Sequence, residues 1–378
     1  MKIAVIICEY NPLQKGHIYH LSRALKECGE SVVCIMSGNF TQRGELAIAD
    51  KYQRAQWAII NGADMVVELP PQYVLTTAKY FALGGVKIAG AINGEVTLSF
   101  GSELGDIKTL QDIANFQEDK DFLTILDKEL KSGNGYAKSY SGALAKTHPD
   151  YAQAIELPNN ILAVEYLKAL SETASNITPH TIARVGGGYH QKTTDTYPSA
   201  SCVRELWQKG DLQAISQGVP QCVLDYLNEF SPTSLQTAKE KLFSLLKFNI
   251  DGIDLKNIHG VKEGVENRII ATVKDSVSWQ AMLEKLATKR YTNAYLLRTL
   301  INTLISNTYT ADDLQNESLD YVNVLAVECN KKHLLSCFDC EVITKSIDLP
   351  DNSLIKQADN LYSSVTKNIP SCMQIISR

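Results

Sequence analysis

Residues 2–20 read KIAVIICEYNPLQKGHIYH, and this stretch decides the fold. Its first part is a run of apolar residues, several of them β-branched, which predicts a buried strand. Asn11-Pro12 then marks a turn, and after Gly16 the pattern becomes helical. A strand that leads through a tight turn into a helix is the first half of a unit with parallel strands.

The same alternation continues over the first hundred residues. Further strand patterns are SVVCIM at 31–36, DMVVELP at 64–70 and TLSFGSE at 97–103, with helical patterns between them. Asp50 is a plausible N-cap for the second helix, and Gly62 is expected to end it. Strands that alternate with helices predict an α/β fold with a Rossmann-like parallel sheet.

The rest of the chain is mainly helical. A polar helical pattern covers 106–145, an apolar helix is expected at 160–170, and TPHTIARV at 178–185 predicts another strand. Helical patterns then dominate, and the tail returns to mixed strand and helix. We predict three domains: an α/β domain at 1–200, a helical domain at 201–310, and a small α/β segment at 311–378.

Composition sets the class of protein. Of 378 residues, 44% are hydrophobic and 21% charged, which is typical of a globular protein. The nine cysteines are scattered and odd in number, as expected of reduced thiols in a cytoplasm. No apolar run is long enough for a membrane span. The net charge of −5 argues against general nucleic-acid binding, so neither DNA nor a membrane is an expected partner.

The turn before the first helix carries residues suited to an anion. Gly16 lets a ligand approach the backbone, and the helix end is expected to offer free N–H groups. His17 and His20 are three residues apart and share one helix face. Two such histidines are ordinarily just half-exposed helix residues. Here they lie at the carboxyl end of a strand, where parallel sheets bind ligands, so we favour a triphosphate site.

Two other patterns are weaker. Cys329, His333, Cys337 and Cys340 form C-x3-H-x3-C-x2-C, which contains only one of the paired units common in structural zinc sites. We therefore expect no protein-built metal site. Three glycines at 186–188 do not fit G-x-G-x-x-G, so a dinucleotide loop is not expected.

The turn resembles that of the HIGH-type nucleotidyltransferase superfamily, and the resemblance extends to one family. The order of segments along most of the chain is similar to that of the bacterial tRNA(Met) cytidine acetate ligases. These segments are EYNPLQKGHIYH (9–20), MSGNFTQRGE (36–45), KYQRAQWAIINGADMVVELP (51–70), SFGSELGD (99–106), LPNNILAVEYLKAL (157–170), PSASCVREL (198–206), EGVENRI (263–269) and TKRYTNAYLLR (288–298). The resemblance implies an enzyme that forms acetyl-adenylate from ATP and acetate, releasing pyrophosphate. It then acetylates N4 of the wobble cytidine of elongator methionine tRNA and releases AMP.

The resemblance also implies that the domain at 1–200 is the nucleotidyltransferase-like ATP-binding catalytic domain and that the helical domain at 201–310 contacts tRNA. His17 and His20 are the implied catalytic residues. Asn159 is as consistent with capping a helix as with a ligand contact, and Arg184 could pair with phosphate. The implied ATP contacts are Ile7, Cys8, Glu9, Tyr10, Asn11, Pro12, Leu13, Gln14, Lys15, Gly16, His17, Ile18, Tyr19, His20, Gly101, Asn159 and Arg184.

PSASCVR resembles a second phosphate motif of the superfamily. Ser199, Ser201 and Arg204 would contact the β- and γ-phosphates, whereas the ordinary alternative is a serine cap and a solvated arginine.

Two groups of cations are further candidates. Arg43, Lys51 and Arg54 would contact acetyl-adenylate or tRNA, or be surface charges only. Lys289, Arg290 and Arg298 would contact tRNA, whereas the tyrosines among them are as consistent with a helical core.

The chain departs from the family at one position. Family members have histidine where this chain has Gln14, and glutamine keeps an N–H donor but carries no positive charge. Charge-assisted hydrogen bonds are worth roughly 1.5–3 kcal/mol, against about 1 kcal/mol for neutral ones. We expect a loss on the order of 1–2 kcal/mol, or about tenfold in rate. The replacement of histidine by glutamine is also consistent with a shift of substrate or of pH optimum.

Two alternative functions are consistent with these residues. A small-molecule adenylyltransferase or cytidylyltransferase would share the turn and would act without RNA. The second alternative is a tRNA-binding protein with a degenerate nucleotide site, and the main observation in favour of it is Gln14. In each nucleotide-dependent case Mg²⁺ is expected to accompany the triphosphate.

Overall fold

The first strand is the central one of the five parallel strands that residues 2–183 contribute to the sheet. The structure is a computed structural model and describes residues 1–132, 136–173, 176–184, 197–288, 291–366 and 372–378. Its strands form one sheet in the order β5-β4-β1-β2-β3-β6-β7, and β8 pairs with β6. The strands are β1 Lys2–Cys8, β2 Ser31–Ser37, β3 Met65–Leu69, β4 Glu95–Ser102, β5 Thr178–Ala183, β6 Tyr321–Glu328, β7 Glu341–Ile343 and β8 Gln374–Ile376.

The predicted parallel sheet is confirmed. β1 pairs in parallel with β2 on one side and β4 on the other, and β2–β3 and β4–β5 are parallel as well. All seven residues of β2 are buried, as expected of a strand covered on both faces. β6 pairs with β3 in the antiparallel direction. The C-terminal segment therefore adds its strands to this sheet, and the division into three domains stays a prediction.

Helices begin and end close to the predicted positions. Asp50 caps α2, since its Oδ1 accepts the N–H of Gln53 at 2.9 Å, and Gly62 follows the helix with a φ of 122°. The helices are α1 Lys15–Cys28, α2 Lys51–Ile60, α3 Pro71–Val74, α4 Ala78–Gly90, α5 Ile107–Asn115, α6 Lys120–Lys131, α7 Tyr136–Thr147, α8 Pro158–Glu172, α9 Ala200–Gln208, α10 Leu212–Ile215, α11 Gln221–Glu229, α12 Pro232–Asn249, α13 Val265–Asp275, α14 Trp279–Leu286, α15 Asn293–Leu304, α16 Ala311–Asn316 and α17 Leu354–Val365.

The sheet has a hydrophobic core on each face. Ile3 and Val5 pack with α4, α5 and α8, whereas Ala4 and Ile6 pack with α1, α2 and the helices after residue 200. The mainly helical region therefore shares one core with the sheet. Within the described ranges, every helix is too short or too polar to cross a membrane.

A buried ammonium group joins the two ends of the chain. Nζ of Lys51 lies 2.7 Å from Oε2 of Glu68 on β3 and 2.6 Å from Oδ2 of Asp359 on α17. Asn39 donates to Asp359 and Asn323 donates to Glu68, so both carboxylates have further partners. Burial alone would lower the pKa of Lys51, but the two carboxylates raise it above its ordinary value. Lys51 is therefore charged, and it is paired inside the protein.

Lys51 and Arg54 were expected to contact acetyl-adenylate or tRNA, or to be surface charges, and the structure contradicts this expectation. Both side chains are 0% exposed. Arg54 donates to the carbonyl oxygens of Ala49 at 3.0 Å, Glu9 at 2.6 Å and Gly38. Both cations therefore hold the scaffold around the loop after β2.

We expect Lys51→Met to destabilise the protein by about 3–5 kcal/mol, because it leaves two carboxylates buried without their cation. The measurement is urea denaturation followed by circular dichroism.

Lys79→Met is the matched control. Lys79 is exposed and lies 3.8 Å from Glu172, so its loss should change the free energy of unfolding by less than about 1 kcal/mol. Equal effects of the two substitutions would contradict a structural role for the buried ammonium group.

Candidate nucleotide-binding site

A cavity of about 360 Å³ opens at the carboxyl ends of β1, β2 and β4. This volume lies within the range of small-molecule sites, and the position is the one at which such sheets bind ligands. The lining includes many of the predicted site residues, namely Ile7, Cys8, Glu9, Tyr10, Asn11, Gln14, His17, His20, Arg43, Gly101, Asn159, Arg184, Ser199, Ser201 and Arg204. Residues from six separate stretches of the sequence therefore meet in one cavity.

The turn between β1 and α1 is held in an uncommon conformation. Tyr10 has a φ of 46°, a left-handed backbone that costs a non-glycine residue of order 1–3 kcal/mol. Its buried ring lies 5.0 Å from the ring of His17, and its hydroxyl lies 3.5 Å from Sγ of Cys34. Oδ1 of Asn11 accepts the N–H of Ile48 at 2.9 Å. Packing and hydrogen bonds thus fix the turn before any ligand arrives.

The start of α1 differs from the expectation of free N–H groups. Oε1 of Gln14 accepts the N–H of Gly16 at 2.7 Å, and the N–H of Lys15 donates to the carbonyl of Gly218. The N–H groups of His17 and Ile18 both donate to the carbonyl of Gln14. The first four N–H groups are therefore occupied, so anion binding here must come mainly from side chains and the helix dipole.

Gln14 and His17 form a capping box. The N–H of Gln14 donates to Nδ1 of His17 at 3.2 Å, while the Gln14 side chain caps the helix. Because Nδ1 accepts, a neutral His17 carries its proton on Nε2. The ring therefore keeps one N–H donor that the helix cap does not use.

Both imidazoles are neutral in the ligand-free protein. Burial, with smaller contributions from Arg184 and His20, lowers the pKa of His17 to about 3. Burial also lowers the pKa of His20 to about 4, helped by Arg184 and His180. Nε2 of His20 lies 3.0 Å from Oγ of Ser99, which fixes the orientation of the ring. The two residues thus offer neutral hydrogen-bonding groups rather than positive charge.

Asn159 does not cap α8, so that alternative is wrong. The helix begins at Pro158, and the carboxylate of Glu103 accepts the N–H groups of Asn159 and Asn160 at 3.3 and 2.9 Å. Glu103 therefore caps the helix, a role that the sequence analysis missed. The side chain of Asn159 instead donates to Glu103 and accepts from Nη1 of Arg184 at 3.3 Å.

Gly101 lies beside this pair. A Cβ atom at position 101 would lie 3.4 Å from Cγ of Arg184, in ordinary van der Waals contact with the arginine. The structure thus brings Gly101, Asn159 and Arg184 together on one wall. Their contact with ATP stays a prediction.

The predicted second phosphate motif lies next to the turn after β1. Oγ of Ser199 accepts the N–H of Cys202 at 3.2 Å, so Ser199 caps α9. Arg204, however, is not a solvated helix residue. It donates to the carbonyl of Asn11 at 2.7 Å and to Oγ of Ser201 at 3.3 Å, and it lies 3.6 Å from Glu45. Its guanidinium group is therefore held over the cavity.

Arg298 contacts the loop after β2 that lines the cavity. Nη1 of Arg298 donates to the carbonyl of Gln42 at 3.1 Å, and burial lowers the pKa of this half-buried guanidinium to about 10. Gly44 has a φ of 77°, and a Cβ atom there would lie 2.4 Å from the backbone N of Arg298. Arg298 therefore holds the loop that lines the cavity, and its contact with tRNA stays a prediction.

The remaining predicted residues fall into three groups. Gly16 and Tyr19 line a smaller adjoining pocket with Tyr197. Lys289 and Arg290 lie outside the described residues. The last group lies outside the cavity lining and consists of Pro12, Leu13, Lys15 and Ile18, of which Leu13 is fully buried in the core.

Several lining residues were missed by the sequence analysis. Phe81, Phe100, Leu162 and Tyr166 form an apolar wall, and Thr41, Gln42 and Glu45 line the opposite side. The segments SFGSE and TQRGE that contain some of them were noted, but no spacing rule singles out these side chains.

All nine cysteines are free thiols. Across the described ranges, no group of three or more His, Cys, Asp or Glu side chains is arranged to hold a metal ion.

Comparison with known proteins gives consistent results. The HIGH Nucleotidyl Transferase family profile matches residues 1–374. The tRNA(Met) cytidine acetate ligase of Acetivibrio thermocellus is 35% identical over 89% of this chain and 85% of its own length. The protein of the same name from Caldicellulosiruptor bescii is 37% identical over 89% of this chain and 84% of its own. The crystal structure of Thermotoga maritima TmcAL bound with alpha-thio ATP covers 100% of both chains at 26% identity and a TM-score of 0.86.

We expect the imidazole NMR signals of His17 and His20 to stay unchanged from about pH 8 to about pH 5 in the ligand-free protein, since their pKa values are about 3 and 4. Adding ATP should raise both pKa values, because nearby phosphate favours the imidazolium form. The unfolded chain binds these protons near the ordinary value of 6.5, so stability should fall as the pH decreases below it.

The variants His17→Asn and His20→Asn assign the two signals. A titration midpoint near the ordinary value in the free protein would contradict the neutral, desolvated site.

Proposed function

Since this chain belongs to the HIGH nucleotidyltransferase family and, within it, to the tRNA(Met) cytidine acetate ligases, we propose that it activates acetate as acetyl-adenylate at the expense of ATP. The acetyl group then passes to N4 of the wobble cytidine of elongator methionine tRNA. The chain is a nucleotide-binding ligase of tRNA modification, and the two-step reaction is the proposal.

The observation that carries the proposal is the meeting of two imidazoles and two guanidinium groups in one cavity. His17, His20, Arg184 and Arg204 all line it, although they come from α1, the end of β5 and α9. A triphosphate carries several negative charges and many acceptor oxygens, which such a set can satisfy. An apolar wall that includes Phe81 and Phe100 offers a surface for a planar base.

In the first step a carboxylate oxygen of acetate attacks the α-phosphorus, and the bond to pyrophosphate breaks. Negative charge grows on the phosphate oxygens as this happens. The free Nε2–H of His17 would donate to one of these oxygens, and His20 would stabilise the same charge from the next helical turn. Arg184 and Arg204 supply the positive charge that the neutral imidazoles lack.

Glutamine in place of histidine at position 14 should affect the site less than the resemblance to the family suggests. Its side chain is used for the helix cap, and the two neighbouring imidazoles are themselves uncharged before ATP binds. An uncharged residue at position 14 therefore matches its surroundings. The tenfold loss in rate stays a prediction.

Mg²⁺ would come with the nucleotide. Mg²⁺ commonly keeps several waters and binds through substrate phosphates, with few protein ligands. Glu45 is a carboxylate of the cavity lining that could contact its hydration shell, whereas an all-protein cage is not apparent in the described ranges. The metal would neutralise charge on the leaving pyrophosphate.

The tRNA contact is the least supported part of the proposal. Arg43 lines the cavity and would lie near a base that enters it. The mainly helical region shares its core with the sheet and so has a fixed position beside the cavity. Lys289 and Arg290 stay candidates for contact with the RNA backbone.

The test is transfer of labelled acetate to an unmodified elongator methionine tRNA transcript by the purified protein. We expect label in the tRNA only with ATP, and none when CTP replaces ATP or when the wobble cytidine is changed to uridine. Label transfer to a small metabolite without RNA would instead favour the adenylyltransferase alternative. Tight tRNA binding without ATP turnover would favour the degenerate site.

We expect His17→Ala to lower the rate of acetate-dependent ATP turnover by about 100-fold, because it removes one donor to the developing charge. The measurement is ATP–pyrophosphate exchange in the presence of acetate. His17→Gln keeps a side-chain N–H and should lose less. Unchanged exchange in His17→Ala would overturn the assignment of the site.

A further inference from the structure

The cavity has a second half that the proposed ATP contacts do not fill. His17, His20, Gly101, Asn159 and Arg184 lie on the side of β1 that faces β4 and β5. On its other side β1 pairs with β2, and the loop after β2 brings Thr41, Gln42, Arg43 and Glu45 to the same cavity. A second reactant could therefore reach the nucleotide from the β2 side.

Glu9 lies between the two halves. It follows directly on β1, its side chain is half-buried, and it lines the cavity. Oε1 accepts the N–H of Gln42 at 2.6 Å, which fixes the carboxylate against the loop after β2. Oε2 has no hydrogen-bond partner among the residues that the structure describes. One oxygen thus orients the group, and the other is available to a ligand.

The backbone around Glu9 is equally well fixed. The carbonyl of Glu9 accepts from Nη1 of Arg54 at 2.6 Å, and Tyr10 follows in its left-handed conformation. Gln42 is held in turn by Arg298, which donates to its carbonyl, and its side chain donates to the carbonyl of Thr76. A group that must accept a proton at a defined point benefits from such fixed positioning.

Groups around Glu9 act on the pKa of its carboxyl group in both directions. Burial raises the pKa of the Glu9 carboxyl group above its ordinary value, whereas the Gln42 N–H, Arg54 and Arg204 act to lower it and Glu45 to raise it. Tyr166 from α8 also faces this region. A carboxylate that is somewhat more basic than usual is better suited to accept a proton.

We propose that Glu9 is the general base of the acetyl-transfer step and that the β2 side of the cavity receives the cytosine. The N4 lone pair attacks the acetyl carbonyl carbon of acetyl-adenylate, a C–N bond forms, and the bond from that carbon to the phosphate oxygen breaks. AMP leaves as the phosphate anion, and one N4 proton passes to Oε2 of Glu9. This inference rests on the proposed function.

Glu45 is the competing carboxylate and is less suited to the role. Its Oε2 lies 3.6 Å from Nη2 of Arg204, and its side chain is 40% exposed. That oxygen is therefore close to a guanidinium group already, and the side chain is more open to water than that of Glu9. Glu9 has one oriented oxygen, no ion pair among the described residues and a more enclosed position.

The test separates the two half-reactions in the full-length protein. Glu9→Gln preserves the oxygen that accepts from Gln42 but cannot take up a proton. We expect transfer to the tRNA transcript to fall by about 100-fold or more, which is at least about tenfold beyond any loss of acetate-dependent ATP–pyrophosphate exchange. In a single turnover with labelled acetate, label should accumulate as enzyme-bound acetyl-adenylate.

Controls make the outcomes distinct. Glu9→Asp keeps a carboxylate and should recover part of the transfer, while Glu95→Gln, an exposed change distant from the cavity, should match the wild type. The wild-type transfer rate should rise with pH through one ionisation that Glu9→Gln abolishes.

Three results would overturn the inference. They are normal transfer by Glu9→Gln, loss of both half-reactions together, and loss of transfer in Glu45→Gln alone. Absence of acetate-dependent exchange in the wild type would instead refute the proposed function itself, and with it the role of Glu9.

Discussion

The buried ammonium group of Lys51 is the constraint on which the arrangement of the site depends. A charge without access to water is tolerated only when it is paired, and here the partners come from β3 and from α17 near the other end of the sequence. Asn39, which donates to Asp359, begins the segment that leads into the loop lining the cavity. The position of α17 and the position of that loop are therefore coupled through Asp359.

The positive charge of the site comes from arginines and not from its histidines or from the start of α1. The imidazoles of His17 and His20 are neutral, and the first N–H groups of α1 are already bonded. Charge is supplied instead by Arg184 and Arg204, one on each side of the turn. Hydrogen-bonding groups that are fixed but uncharged cost less to bury than imidazolium ions, and they can gain protons when an anion arrives.

The sequence predicts well what is local. The succession of β1, the turn and α1 follows from a continuous apolar run and one Asn-Pro pair. The cap at Asp50 is local as well, because Asp50 directly precedes the helix that it caps. It predicts poorly what depends on distant partners. Lys51 and Arg54 look like surface cations because Asp359 and the carbonyl groups that accept from them are not visible in the pattern. Glu103 was missed as a cap for the same reason, since α8 begins more than fifty residues later.

Chain order gives the antiparallel strand β6 a consequence for synthesis. β3 is complete by residue 69, but its free edge is covered only when Tyr321–Glu328 has left the ribosome. Until then a nascent chain displays an apolar strand with unused backbone donors and acceptors, a form prone to association with other chains. The ion pair between Lys51 and Asp359 forms later still, because α17 follows β6 in the chain. The sheet edge at β3 therefore stays open until β6 has been synthesised, and the buried ion pair cannot form before α17 has been synthesised.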